Sequence, residues 1–169
     1  MNKCVFLDRD GVLNQDLEGY LYRSEDMEIP EGAFEALRRM KDAGYLLIVV
    51  TNQAGIAKGL YTKDDVLKCH AHFQEACGYL LDDLYVSPHH PEYTTASLLR
   101  KPDSLMLEKA MAKYHIDAAQ SWMIGDGERD VLAGKKAGVR TIQVTCSPEG
   151  SRSELTSANL LEASALVLG

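Results

Sequence analysis

No apolar run in this sequence approaches the roughly 18 residues that a membrane-spanning helix needs, and no secretory apolar core follows Met1-Asn2-Lys3. A cytoplasmic protein with no membrane role is expected. Cysteine is sparse: Cys4, Cys69, Cys77 and Cys146 form no CxxC or CxH pair and fall on apolar segments. That spacing argues against disulfides and zinc and reads as small buried hydrophobes. No Lys/Arg-rich tract offsets a formal charge of −7, which disfavours nucleic acid, a polyanion held mainly by clustered cations. Repeats and low-complexity segments are missing too. What is there is ordinary globular composition, 46% apolar and 25% charged over 169 residues. That length suits one domain, residues 1–169, with a sizeable core.

Apolar runs of strand length recur at Cys4 to Leu7, Tyr45 to Val50, Leu84 to Val86, Trp122 to Ile124 and Val139 to Val144. Helical periods lie between them. The first helix starts near Pro30 and carries Phe34, Leu37 and Met40 towards a Gly44 stop. The second opens with Thr62 and Asp65, a capping-box pattern, and places Val66, His70, Phe73, Cys77 and Leu80 on one face. His70 reads there as a packed residue rather than a ligand. A third helix runs from Asp103 to Tyr114 and a fourth from Glu128 to Ala137, whereas the tail from Ser147 has no clear period. Strands alternating with helices predict an α/β fold, a three-layer, doubly wound, Rossmann-like parallel sheet.

In such sheets the ligand sits beyond the carboxyl ends of the strands. There the sequence places Asp8 and Asp10, then Thr51-Asn52-Gln53-Ala54-Gly55, then Ser87-Pro88-His89-His90-Pro91 with Arg100-Lys101-Pro102, then Gly125-Asp126 with Asp130. Asp8 and Asp10, two apart, project to one side of a strand end and repel unless a cation or a reacting group compensates them. Carboxylates from two strand ends supply hard oxygen ligands for Mg²⁺, and a hydroxyl and an ammonium suit the oxygens of a transferring phosphoryl group. Each element has a bland alternative: a solvated turn at Asp8 to Gly11, a turn cap at Thr51, a solvated pair at Arg100-Lys101, a first-turn acid at Asp130. Their joint occurrence at strand ends argues against all four.

The set Asp8-x-Asp10-Gly11, Thr51, Lys101 and Gly125-Asp126-x3-Asp130 resembles the four motifs of the haloacid dehalogenase superfamily of phosphohydrolases. Leu7-Asp8-Arg9-Asp10-Gly11, the run from Thr51 to Gly59, Pro88-His89-His90-Pro91 and Arg100-Lys101-Pro102 look closest to its heptose 1,7-bisphosphate phosphatase branch, over about residues 4–145. The resemblance implies a Mg²⁺-dependent phosphomonoesterase without a separate cap domain, since intervals 11–50 and 52–100 are filled by predicted elements. It implies Asp8 as nucleophile, Asp10 as general acid and base, Thr51 and Lys101 as the phosphoryl clamp, and Asp8, the Asp10 carbonyl and Asp126 around the metal. Asp130 would orient Lys101 or the metal shell. By the same pattern Asp16, Gly19, Tyr20, Asn52, Gln53 and Arg100 would contact the substrate, Arg100 reaching a second phosphate. Access would be limited by loops at about residues 14–26, 54–61 and 87–99, which suits a small phosphorylated sugar. A monomer is expected.

Two departures from the pattern stand out. Many members carry thiolates that bind structural zinc in the loop before Arg100-Lys101, but here it reads Ser87-Pro88-His89, and Tyr93 to Leu99 contains no cysteine. A closed zinc site needs four ligands, so no zinc is expected. The second is Gly127, where the heptose enzymes usually carry lysine. The alternative substrate is histidinol phosphate, from the branch that shares the DRDG, TNQ and RKP elements, and behind it a nucleotide or nucleic-acid end. A phosphorylatable receiver domain would instead have adjacent acids after its first strand, and a scaffold with a dead site would lack a motif residue.

Overall fold

The computed structural model describes residues 1–17 and 19–169. Six strands form one parallel sheet: β1 Cys4–Leu7, β2 Leu46–Asn52, β3 Asp83–Ser87, β4 Trp122–Gly125, β5 Arg140–Val144 and β6 Leu155–Ser157. Their order across the sheet is β3-β2-β1-β4-β5-β6. The chain therefore winds outward one way through β2 and β3, returns, and winds the other way from β4. The reversal lies between β1 and β4, whose carboxyl ends form the crevice where such sheets bind ligands.

Strand periodicity sorts the core into two faces. Val5 and Leu7, Leu47 and Val49, and Trp122 and Ile124 turn one way, towards α1 (Ala33–Asp42), α3 (Lys63–Cys77) and α6 (Leu160–Leu168). Cys4 and Phe6, Ile48 and Val50, and Met123 turn the other way, onto α4 (Leu105–Tyr114) and α5 (Glu128–Ala137). Both faces are covered, so the central strands are apolar throughout, as parallel strands must be. The result is the expected three-layer α/β architecture.

Local chemistry sets most boundaries. The Thr62 side chain accepts from Asp65 N at 3.2 Å while the Asp65 carboxylate accepts from Thr62 N at 2.9 Å, a reciprocal cap that starts α3. α5 begins at Glu128, as its sequence predicts. Elsewhere the structure corrects the reading. α1 starts three residues after Pro30 because Gly32, at φ +77°, turns the chain first. β2 runs on to Asn52, so Thr51 lies inside a strand and not beyond it. Cys69, not His70, belongs to the buried face of α3, and His70 is half-buried at its margin. Cys4, Cys69 and Cys77 are buried, whereas Cys146 is exposed.

The tail is ordered by packing. Leu160, Ala163 and Val167 of α6 join Ala33, Leu37 and Met40 of α1 in one core, and β6 pairs with β5. The signal for α6 was present: Asn159 accepts from Glu162 N at 2.9 Å, an N-cap spaced three residues from a glutamate. A short helix α2 (Ala54–Ala57) follows β2. Among the described residues no helix is long and apolar enough to cross a membrane.

Candidate active site

β1 ends at Leu7, and Asp8 N donates to Ile124 O at 2.9 Å, tying the first strand end to the fourth. Asp8 Oδ1 accepts from Arg9 N at 2.7 Å and lies 3.0 Å from Lys101 Nζ. The same ammonium is 2.6 Å from Asp130 Oδ1 and donates to Val50 O at 2.8 Å. Lys101 is 1% exposed and Asp130 fully buried. A lysine is buried only when its charge is met, and here two carboxylates meet it while a backbone carbonyl accepts an N–H. The bland reading of Arg100-Lys101 as a solvated pair fails for Lys101.

Asp130 serves two ends. Its second oxygen accepts from Gly127 N at 3.0 Å, capping α5, while the first holds Lys101. A first-turn acid thus becomes a buried anchor because α5 begins directly behind the β4 end. Carboxylate oxygens of Asp8, Asp126 and Asp130 lie within 4.8 Å of one another. Burial foremost, with Asp130 next among the acids, pushes the Asp8 carboxyl up to about 7 despite Lys101. Burial and then Asp130 push Asp126 up to about 6. Neutral pH therefore leaves negative charge that one ammonium does not fully compensate.

Gly11 makes room at this cluster. It sits at φ +79°, and a Cβ there would come within 2.3 Å of Asp126 Oδ2. Its missing side chain leaves a cradle beside the carboxylate, next to hard oxygen donors with unmet charge. The residues present fit a Mg²⁺ ion, which the Asp8 and Asp126 side chains could hold.

Asp10 is placed by the turn, not by strand alternation: Leu13 N donates to Arg9 O at 2.8 Å and Gly11 N to Asn14 O at 2.9 Å. Its carboxylate is held by the Arg9 guanidinium at 3.0 and 3.1 Å, by Asn14 Nδ2 at 3.1 Å and by Gln53 Nε2 at 3.1 Å. That side chain is thus held by three neighbours and is not one of the grouped carboxylates Asp8, Asp126 and Asp130. Thr51, fully buried, accepts from Gln53 Nε2 at 2.9 Å.

Above this floor opens a cavity of about 200 Å³. Asp16, Gly19, Tyr20, Asn52, Gln53 and Arg100 all line it. The two amides among them, Asn52 and Gln53, are already engaged. Asn52 and Lys101 exchange side chain and backbone, Nδ2 to Lys101 O at 2.9 Å and Lys101 N to Oδ1 at 3.0 Å, which fastens the lysine to the end of β2. Gln53 is 2% exposed, with its amide bonded internally. Both amides thus position neighbours, and less of each is free for substrate than the motif suggests.

The HAD-hydrolase-like family model matches residues 98–161. The D-glycero-beta-D-manno-heptose-1,7-bisphosphate 7-phosphatase of Haemophilus ducreyi is 42% identical over 147 residues, 82% of this chain and 80% of that one. The chain belongs to the heptose-1,7-bisphosphate 7-phosphatase family of HAD-like hydrolases. The D-glycero-alpha-D-manno-heptose-1,7-bisphosphate 7-phosphatase of Burkholderia mallei is 39% identical over 159 residues, 89% of this chain and 84% of that one. Among solved structures, the D,D-heptose 1,7-bisphosphate phosphatase of B. bronchiseptica, complexed with magnesium and phosphate, matches with a TM-score of 0.86 at 27% identity over 98% of both chains.

The motif reading of this phosphatase missed several residues. Arg9 and Asn14 are buried, at 5% and 0% exposure, and hold Asp10. Arg9 Nη2 also donates to Leu21 O at 2.9 Å, tying the 14–26 loop to the floor. Arginine between two acids was a signal for the first; nothing in the sequence marked the second. Lys58, His90 and Arg129 also line the cavity. Lys58 Nζ lies 5.5 Å from the Tyr20 ring centre and 5.1 Å from that of Tyr93, so it joins all three loops expected to limit access.

Proposed function

We propose that this phosphatase removes the 7-phosphate of D-glycero-D-manno-heptose 1,7-bisphosphate, through a phosphorylated Asp8. The observation that carries the reading is the buried Asp8–Lys101–Asp130 group at the β1/β4 crevice, with the Asp126 carboxylate beside it. A carboxylate oxygen of Asp8 attacks phosphorus in line, the bond to the sugar oxygen breaks, and Asp10 gives that oxygen its proton. Asp10 then takes a proton from water, whose oxygen attacks the phosphoryl group, releasing phosphate and restoring Asp8. Lys101 and Thr51 hold the phosphoryl oxygens while charge gathers on them. Mg²⁺ held by Asp8, the Asp10 carbonyl and Asp126 would supply charge neutralisation and keep Asp8 ionised.

The wall of the cavity suits a second anion. Arg100, which donates to His89 O at 3.2 Å, lines it together with Lys58 and Arg129. A guanidinium can take a phosphate bidentately, which a monophosphate substrate cannot use. The reading extends to a cytoplasmic monomer acting on a small phosphorylated sugar, without nucleic-acid or membrane partners and without structural zinc. Internal bonds brace the 88–99 loop: His90 O accepts from Tyr93 N at 3.1 Å and Thr94 N at 2.9 Å, and the His90 and Tyr93 rings meet edge to face at 5.1 Å.

The test is a panel of heptose 1,7-bisphosphate, the heptose monophosphate, histidinol phosphate and nucleotides, with released phosphate measured under Mg²⁺. The bisphosphate should be preferred. Arg100→Ala should cost about 1–3 kcal/mol in kcat/KM on the bisphosphate and little on a monophosphate. Equal losses on both would assign Arg100 to the transferring group, and better turnover of histidinol phosphate would overturn the substrate. Elemental analysis showing one zinc per chain would refute the loop assignment.

A further inference from the structure

Tyr61 lies just after α2, is 6% exposed, and does not line the cavity. Its hydroxyl donates to Gln53 Oε1 at 2.6 Å. On the other side of the same amide, Gln53 Nε2 donates to Thr51 Oγ1 at 2.9 Å and to Asp10 Oδ2 at 3.1 Å. The orientation is not free. An arginine N–H only donates, so the Gln53 atom facing Tyr61 and the Arg9 guanidinium, whose Nη2 is 3.4 Å away, is the carbonyl oxygen, and the amide nitrogen faces Asp10 and Thr51.

The phenol is itself fixed. A Cβ at Gly55 would lie 2.0 Å from Tyr61 Cε1, so only a residue without a side chain admits the ring. On its outer side the ring stacks on Tyr22, with centres 5.4 Å apart and planes 8° apart, and tilts against Tyr20 at 5.8 Å. Burial pushes the phenol up to about 12, so it remains a donor at any working pH.

A consequence follows for Thr51. Its oxygen already accepts one amide proton, so its own proton is free to be given elsewhere, and among the described residues no group takes it. We infer that Tyr61 is a positioning residue for phosphoryl transfer: by anchoring the Gln53 carbonyl it aims one amide proton at Thr51, turning the Thr51 hydroxyl proton towards the phosphoryl oxygen, and the other at Asp10, holding that carboxylate at the leaving oxygen. This rests on the roles of Thr51 and Asp10 given above. Nothing in the motifs marks Tyr61, whose link to the floor runs through a neighbour's amide.

Tyr61→Phe keeps the ring and removes only the hydroxyl. We expect kcat to fall about tenfold with KM within about twofold, and a melting temperature close to wild type. Gln53→Leu should lose about a hundredfold, and Tyr61→Phe added to it should change kcat no further, because the tyrosine acts only through the glutamine. Independent losses in that cycle, a silent Tyr61→Phe, an effect confined to KM, or a loss that vanishes once the folded fraction is corrected for would each overturn the inference. The cycle is run on whichever phosphomonoester the wild type hydrolyses. Rejection of heptose 1,7-bisphosphate would therefore sink the substrate assignment alone, while full activity of Thr51→Val would sink the clamp role on which the inference rests.

Discussion

At the floor of the site Lys101 is 1% exposed and sits between Asp8 and Asp130, with a backbone carbonyl as third partner. At the mouth Lys58 is exposed and lies between the rings of Tyr20 and Tyr93. Both lysines bridge segments far apart in sequence. The floor does so with ion pairs away from water, where losing one partner strands the others. The mouth does so with ring faces in water, where the same charge is worth a fraction as much. The floor is thus built to hold one arrangement, and the mouth to leave its ammonium free to exchange partners.

The contrast is tested most severely at Asp8. Asp8→Asn should lower turnover by more than about 10⁴-fold, since an amide neither attacks phosphorus nor carries the charge that Lys101 faces. Fluoroberyllate should bind the wild type and not the variant. Turnover within tenfold of wild type would remove Asp8 from the nucleophile's role. Asp10→Asn should lose about 10²- to 10⁴-fold on sugar phosphates and less on aryl phosphates, whose leaving groups need little protonation. Equal losses across leaving groups would count against the acid.

Lys101→Met strands Asp8 and Asp130 and should cost about 3–5 kcal/mol of stability at neutral pH in urea titrations. A loss below about 1 kcal/mol would mean that the buried group is not held together as described. A smaller effect concerns pH. Asp8 and Asp126 titrate near 7 and 6 in the folded protein, against 3.8 ordinarily. Between about pH 4 and 7 the metal-free folded state binds more protons than the unfolded chain, so its stability falls as pH rises through that window. Mg²⁺ needs those carboxylates ionised, so it should raise the melting temperature more at pH 7.5 than at pH 5. EDTA should silence turnover and Mg²⁺ restore it, and equal shifts at both pH values would contradict the assigned cluster. The smallest effect belongs to the mouth: Lys58→Ala should change kcat/KM less than about fivefold on a monophosphate, in keeping with about 0.5–1 kcal/mol for an exposed cation and ring.

Much of this architecture was legible before folding. Apolar runs of three to six residues, helical periods between them and a capping box at Thr62 were enough for a parallel three-layer sheet, because these are local signals that burial on both faces reinforces. The strand-end position of Asp8 and Asp126 followed from where those runs stop, whereas β2 carries on through Thr51 to Asn52. The tail was less clear, since α6, Leu160-Leu161-Glu162-Ala163-Ser164-Ala165-Leu166-Val167-Leu168, is apolar nearly all round and β6 spans three residues. Only docking against α1 and β5 gives them a face.

What sequence alone determined was which residue types stand at the strand ends, because strand length and side-chain period are properties of a few neighbours along the chain. Tertiary structure decided their partners. It placed Asp130 behind the β4 end to hold both a helix cap and Lys101, spent Asn52 and Gln53 on their neighbours, brought Arg9 and Asn14 onto Asp10, and put Tyr61 against the Gln53 carbonyl. Those contacts span up to 49 residues. Each exists because a buried polar group must be satisfied by whatever the fold brings near, and no local pattern records which group that will be.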